Sequence, residues 1–117
     1  MTDNERNRSV GVAEVFKALG HPSRVFIVEK LGESRHCVCE LSEMIGVDMS
    51  TVSRHLSILK AAGIVADRKE GTTVYYSLAC DCLGGMLSGV ENILRLRLAS
   101  QAAALTGAGS TAGNTAG

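Results

Sequence analysis

The stretch that decides the fold is residues 40–62, ELSEMIGVDMSTVSRHLSILKAA. Leu41, Met44 and Ile45 recur at helical spacing, Gly46 ends that helix, and residues 48–50 start a second one. Two short helices joined by a tight turn form a helix-turn-helix, whose second helix enters the major groove of DNA. This stretch therefore predicts a DNA-reading element.

The segment that follows Gly63 changes to a period of two. Val74, Tyr76 and Leu78 alternate with more polar neighbours, and residues 69–72 supply a turn before them. Alternation of this kind on both sides of a turn predicts a β-hairpin. A hairpin directly after a helix-turn-helix is a wing, so the expected fold is mainly α with a β-hairpin wing, a winged helix-turn-helix.

Two further helices are predicted upstream of the helix-turn-helix. The first carries apolar residues on one face and stops at Gly20, and the second opens at Pro22 and closes at Gly32, because proline favours the first helical position. Residues 1–8 are polar and are expected to form a flexible N-terminus. The remaining ordered domain is expected to span residues 9–105.

The last predicted helix runs from about residue 82 to residue 105 and carries an apolar stripe. Such a stripe either covers its own domain or pairs with a second subunit. Pairing is favoured, because two-fold symmetric DNA-binding proteins commonly dimerise through a helix of this kind. The sequence thus predicts a homodimer. Residues 106–117 contain only Gly, Ala, Ser, Thr and Asn, a composition that predicts a disordered tail.

Size and charge limit the choice of function. A chain of 117 residues fits one domain, and its formal net charge of zero means that any DNA affinity must come from local placement of Arg and Lys. No apolar run approaches the roughly 20 residues that span a bilayer, and no cationic leader precedes an apolar stretch. We expect a cytoplasmic protein without a membrane partner.

The candidate contacts to double-stranded DNA lie on the second helix of the motif and on the wing. Arg bonds guanine in the major groove, and Ser and Thr serve bases or phosphates. The polar residues of this helix could instead form an ordinary solvated face. The basic residues at the tip of the wing favour the DNA-binding interpretation over this one. The predicted DNA-binding residues are Ser50, Thr51, Ser53, Arg54, His55, Lys60, Arg68, Lys69 and Tyr75.

Four cysteines occur as two Cys-x-Cys pairs, Cys37 with Cys39 and Cys80 with Cys82. In a reducing compartment such pairs indicate metal binding or redox chemistry, although single cysteines are often only small buried side chains. The spacing differs from the Cys-x-x-Cys of dithiol oxidoreductases, and no parallel sheet is predicted. An enzyme is therefore not expected.

Five segments together resemble the ArsR/SmtB family of metal-responsive repressors, over about residues 10 to 95. The resemblance implies a dimeric winged helix-turn-helix that occupies an operator when metal-free and leaves it when an inducer binds. It implies no organic cofactor. The segments are LGHPSR at residues 19–24, CVCEL at 37–41, STVSRHL at 50–56, AGIV at 62–65 and YYSL at 75–78.

The CVCEL segment is similar to the family's arsenic-type site, which implies that Cys37 and Cys39 are metal ligands. The closest pattern has a third cysteine where this chain has Ser42. As(III) and Sb(III) take three thiolates, so Cys80 or Cys82 is a candidate to complete the site. Four thiolates together would suit Cd, Pb or Zn.

Two further inferences concern the inducer. No histidine follows His55, so the family's other site, which uses Asp, His and Glu on the last helix, is not expected. The expected function is an arsenite- or antimonite-responsive repressor. The alternative is a repressor of the same fold that senses thiol oxidation or persulfides.

Overall fold

The structure, a computed structural model, describes residues 1–105. Helices dominate this range, and three short strands form a small antiparallel sheet. The elements in chain order are α1 (Asp3–Leu19), α2 (Pro22–Glu33), β1 (His36–Cys37), α3 (Val38–Ile45), α4 (Met49–Ala61), β2 (Val65–Glu70), β3 (Thr73–Leu78) and α5 (Cys82–Leu105).

The first two helices depart from the sequence prediction at their ends. Residues 1–8 were expected to form a flexible terminus, but α1 already begins at Asp3. The cause is a capping box, in which Thr2 accepts the Glu5 N–H and the Glu5 carboxylate accepts the Thr2 N–H. Helix α2 opens at Pro22 as predicted and continues through Gly32 to Glu33, so Gly32 does not end it.

The helix-turn-helix matches its prediction closely. Gly46 ends α3 in the left-handed conformation, with φ of 83°, which a residue without a Cβ adopts readily. Asp48 caps α4. The two helices pack through fully buried Leu41 and Leu56, and the core of this part of the chain is completed by Ile27, Val28, Leu31, Val52, Leu59, Ile64 and Val65.

The wing is an antiparallel hairpin of β2 and β3, and Gly71 in its turn has a φ of 65°. Strand β1 pairs with the outer side of β3, giving the strand order β1-β3-β2. The register sets His36 opposite Tyr76 and Cys37 opposite Tyr75. Because α3 follows β1 directly, the sheet fixes the point where that helix begins.

The chain divides into two compact units, with the boundary between Leu83 and Gly84. The first unit contains the helix-turn-helix and the wing. Most of α5 belongs to the second. No helix within residues 1–105 is long and apolar enough to cross a membrane.

The predicted tail, residues 106–117, lies outside the described residues. The large apolar side chains exposed on α5 are Val90, Ile93, Leu94, Leu96, Leu98 and Leu105.

Candidate DNA-reading surface and thiol site

The first turn of α4 is organised around the carboxylate of Asp48. Thr51 donates its backbone N–H to Oδ2 over 3.4 Å and its hydroxyl to Oδ1 over 2.5 Å, and the Ser50 hydroxyl also donates to the carboxylate. These hydrogen bonds lower the pKa of Asp48 to about 2. Ser50 and Thr51, two predicted DNA contacts, therefore also hold the cap of the recognition helix.

The middle of α4 presents Ser53 and Arg54 to solvent, whereas His55 is half-buried. His55 faces the protein: its Nδ1 lies 3.1 Å from Arg24 Nη1, and its ring lies 4.6 Å from the ring of His21. Burial lowers the pKa of His55, and the charges of its His21, Arg24 and Arg54 neighbours lower it further. The contacts of His55 within the protein favour a positioning role for this predicted DNA contact.

Lys60, near the end of α4, contacts the wing. Its Nζ lies 2.9 Å from Asp67 Oδ2 on β2, and this hydrogen bond raises the pKa of Lys60. The ammonium therefore links the recognition helix to the hairpin. Both side chains are substantially exposed, so this ion pair adds little stability by itself.

The wing carries Arg68 and Lys69 as exposed cations on β2. Tyr75, opposite Arg68 on β3, is half-buried, and the Arg35 guanidinium lies 4.1 Å from the centre of its ring. Arg35 also donates to Glu70 over 2.5 Å. One face of Tyr75 is thus covered, while Arg68 and Lys69 stay exposed.

The pair Cys37 and Cys39 lies where β1 passes into α3. Cys37 is the residue before the helix, and Cys39 is in its first turn. Both are free thiols, Cys37 half-buried and Cys39 exposed. The proximity of the Cys37 sulfur raises the pKa of the Cys39 thiol, and Glu43 and Glu40 add to the effect. The two sulfur atoms are close enough to interact, which suits chelation of one soft ion.

Glu40 closes the start of α3 beside this pair. Its Oε1 accepts the Cys37 N–H over 3.0 Å and lies 3.4 Å from His36 Nδ1. The hydrogen bond from Cys37 lowers the pKa of Glu40. His36 Nδ1 is buried and has no hydrogen-bond partner. The start of α3 therefore depends on the backbone of Cys37.

The second pair is in a different chemical state. Cys80 and Cys82 form a disulfide with each other, so their sulfurs are not available as thiolates in this form. Within residues 1–105, no three Cys, His, Asp or Glu side chains are arranged to hold a metal ion. Cys37 and Cys39 are thus a pair of free thiols, whereas Cys80 and Cys82 are bonded to each other.

Two positioning contacts were missed by sequence reasoning. Arg24 was not singled out, although it donates through Nε to Ala18 O over 2.5 Å and through Nη1 to His55. Arg35, between Glu70 and Tyr75, was also missed. The Arg24–His55 and Arg35–Glu70 contacts join residues more than 30 positions apart, so periodicity along the chain gave no signal for them.

Known proteins provide an independent comparison. The family model for bacterial regulatory proteins of the arsR family matches residues 21–67. An uncharacterized HTH-type transcriptional regulator of Methanocaldococcus jannaschii is 40% identical over 82 residues, which cover 69% of this chain and 92% of the relative. A cadmium resistance transcriptional regulatory protein CadC homolog of Staphylococcus aureus is 44% identical, covering 65% of this chain and 64% of the relative.

A solved structure agrees with the fold. The homodimeric winged helix-turn-helix DNA-binding domain of a possible ArsR-family transcriptional regulator from Mycobacterium bovis superposes with a TM-score of 0.76 at 28% identity. The match covers 84% of this chain and 91% of that one. The predicted winged helix-turn-helix is therefore confirmed.

Proposed function

The chain belongs to the arsR family of bacterial regulatory proteins, and from this premise we propose a repressor that binds operator DNA as a homodimer and is released by a thiophilic inducer. Its relatives are transcriptional regulators, so the chain is a regulator and not an enzyme. The inducer we propose is arsenite or antimonite, bound by Cys37 and Cys39. The observation that carries the proposal is this pair of free thiols at the start of α3.

Operator contact is assigned to α4 and the wing. The exposed face of α4 offers Ser53 and Arg54 to base edges, and Ser50 and Thr51 lie at its N-terminus, where amide groups suit a phosphate oxygen. The exposed cations of β2 suit the phosphates of a neighbouring groove. Lys60, His55 and Tyr75 are proposed to position this surface, since each already contacts another part of the protein.

Homodimerisation is assigned to apolar side chains that one chain leaves exposed. Phe16 on α1 is 54% exposed and Ile93 on α5 is 63% exposed, and burying such side chains against a second copy is favourable. The homodimeric domain of the Mycobacterium bovis regulator supports this assignment. A two-fold dimer would present two copies of α4 to a two-fold symmetric operator.

The first cysteine pair supplies two of the three sulfur ligands that arsenite or antimonite needs. Cys37 and Cys39 supply two thiolates, and Ser42 occupies the place where the related pattern has a third cysteine. We propose that a small thiol, or a cysteine of the same first pair in the second copy, supplies the third sulfur. No step of the release requires Cys80 or Cys82.

Release follows from where the two sulfurs lie. Cys37 belongs to β1 and precedes α3, Cys39 is in the first turn, and Glu40 caps that turn through the Cys37 N–H. An ion that draws both sulfurs together would distort this start, and α3 packs directly on α4. Shifting a two-state equilibrium from 1:99 to 99:1 requires about 5.5 kcal/mol of differential affinity, a range that bonds to two or three thiolates can supply.

A four-thiolate site for Cd, Pb or Zn is the second candidate, and the cadmium-resistance name of one relative favours it. This site needs Cys80 and Cys82 in reduced form beside the first pair. Metal titration of fully reduced protein, followed by sulfur-to-metal absorption, separates the candidates. We expect Cys37→Ser with Cys39→Ser to remove arsenite binding, and Cys80→Ser with Cys82→Ser to retain it. Loss of arsenite binding only in the second double variant would overturn the assignment.

A further inference from the structure

The connection between β3 and α5 contains the second Cys-x-Cys pair, and its chemical state differs from that of the first. Cys80 and Cys82 are joined by a disulfide, whereas Cys37 and Cys39 are free thiols. The spacing along the chain is the same in both cases. The number of intervening residues therefore does not explain the difference.

The backbone around the second pair is anchored on both sides. Ala79 N donates to Ile64 O over 2.9 Å, and Leu83 is only 4% exposed. The Cα atoms of Cys80 and Cys82 are 5.2 Å apart, inside the range that disulfides normally show. Because these anchors do not depend on the sulfur–sulfur bond, we expect them to keep the two thiols close after reduction.

The Cys80–Cys82 bond is poorly suited to a stabilising role. It closes a loop that contains only Asp81 between the two cysteines, and the entropic effect of a disulfide on the unfolded chain grows with loop length. Both cysteines are exposed to solvent. Exposed disulfides that stabilise little are the ones that react with small thiols and disulfides. Accessibility and position thus indicate a reactive site.

We propose that Cys80 and Cys82 form a reversible dithiol–disulfide couple that exchanges with low-molecular-weight disulfides, independently of Cys37 and Cys39. This site goes beyond the proposed inducer response and does not depend on it. It assigns to the β3–α5 connection a covalent chemistry that the DNA-reading surface and the first thiol pair do not use.

The exchange has two steps. The thiolate of one cysteine attacks a sulfur of the small disulfide RSSR, so a protein–SR bond forms, the S–S bond of RSSR breaks and RS⁻ leaves. The thiolate of the other cysteine then attacks the protein sulfur of this mixed disulfide and displaces the second RS⁻. Two protein thiols are oxidised, RSSR is reduced to two RSH, and the two protons released by the protein thiols end on the leaving groups.

The first nucleophile is assigned to Cys80. The Cys82 N–H, in the first turn of α5, points at Cys80 Sγ over 3.1 Å, and an N–H donor stabilises a thiolate. Cys82 then acts as the resolving thiol. Each thiol therefore has a separate role that single substitutions can distinguish.

The test uses the full-length protein, equilibrated in buffers of graded reduced and oxidised glutathione, quenched with acid and alkylated with iodoacetamide. Trypsin places the two pairs in separate peptides, residues 36–54 and 70–95. As the fraction of oxidised glutathione rises, we expect the 70–95 peptide to carry no alkyl group and to have a mass two hydrogens below that of its reduced, unalkylated form. Treatment with dithiothreitol before alkylation should restore both alkylated cysteines. The 36–54 peptide should keep two alkylated cysteines over the same range. Earlier oxidation of 36–54, or persistent double alkylation of 70–95, would overturn the proposal.

Substitutions provide the matched controls. Cys82→Ser should accumulate a glutathione mixed disulfide at Cys80, because the resolving thiol is gone. Cys37→Ser with Cys39→Ser should leave the midpoint glutathione ratio of the 70–95 peptide unchanged within about twofold. A larger change would show that the two pairs exchange with each other, which contradicts independence. Absence of the mixed disulfide in Cys82→Ser would contradict the assigned order of attack.

Discussion

Arg24 Nη1 donates a hydrogen bond to His55 Nδ1 over 3.1 Å, and so joins α2 to the recognition helix α4. The same guanidinium donates through Nε to Ala18 O near the end of α1, over 2.5 Å. Arginine has only donors, so His55 must accept at Nδ1 in this contact. One side chain thereby sets the position of three helices, and the orientation of α4 depends on it.

Replacement of Arg24 should therefore destabilise the fold. Arg24→Ala leaves two acceptors without their donor, and we expect a loss of about 2 kcal/mol in the free energy of unfolding. Arg24→Lys should recover only part of this loss, because an ammonium cannot reproduce the two-pronged geometry. Urea denaturation measures both values. Lys17→Ala, at an exposed position in the last turn of α1, is the control and should change stability by less than about 0.5 kcal/mol. Equal losses at both positions would contradict the role of Arg24.

Stability should fall as the pH drops below the ordinary pKa of histidine. The folded-state pKa of His55 is lowered by burial and by neighbouring charges, so the unfolded chain binds a proton that the folded chain resists. The stabilisation is complete above the unfolded pKa of 6.5 and is lost as the pH falls through the folded pKa. His55→Asn keeps an acceptor near Nδ1 without titrating in this range. Its thermal midpoint should vary less with pH than that of the wild type, and identical pH dependence would exclude His55 as the cause.

The cap of α4 should be sensitive to both the shape and the charge of Asp48. Asp48→Ala removes the acceptor of the Ser50 and Thr51 hydrogen bonds, while Asp48→Asn retains a capping oxygen without its charge. We expect the thermal midpoint at neutral pH to fall most for Ala and less for Asn. The folded pKa of about 2 lies below the ordinary 3.8, so this contribution of the wild type is lost as the pH falls from 3.8 towards 2. A midpoint for Asp48→Ala equal to that of the wild type would rule out the cap.

Operator binding should separate base contacts from phosphate contacts. Arg54→Ala should weaken binding to the operator by about 1–3 kcal/mol and reduce discrimination against unrelated DNA. Arg68→Ala and Lys69→Ala should weaken binding to both DNAs alike and reduce the salt-dependence slope by about 1 each. Arg6→Ala, in the first turns of α1, is the control for net charge and should leave the slope unchanged. An equal slope change in Arg6→Ala would exclude a specific wing contact.

The sequence predicted the elements that local chemistry determines. Gly46 and Asp48 define the turn of the helix-turn-helix by their backbone and capping preferences, and both act as expected. The hairpin followed from its alternation and from the turn that ends at Thr72. Thr2 and Glu5 were overlooked, because a capping box in a polar stretch lacks the apolar periodicity used to find helices.

The site was predictable only in part. Residue type and spacing identified Cys37 with Cys39 and the exposed Ser53 and Arg54. The contacts of His55 and Tyr75 with arginines from distant segments came only from tertiary packing. The state of Cys80 and Cys82 was equally inaccessible, because spacing cannot distinguish a chelating pair from a bonded one.

We propose above that an inducer bound at Cys37 and Cys39 releases the protein from its operator. The most direct test is the fluorescence anisotropy of labelled operator DNA with fully reduced protein, titrated in parallel with arsenite, Cd and an organic polysulfide. We expect arsenite to release the wild type and Cys80→Ser with Cys82→Ser, and to leave Cys37→Ser with Cys39→Ser bound. Release by polysulfide alone, reversed by a reductant, would contradict the account and identify a redox-sensing repressor.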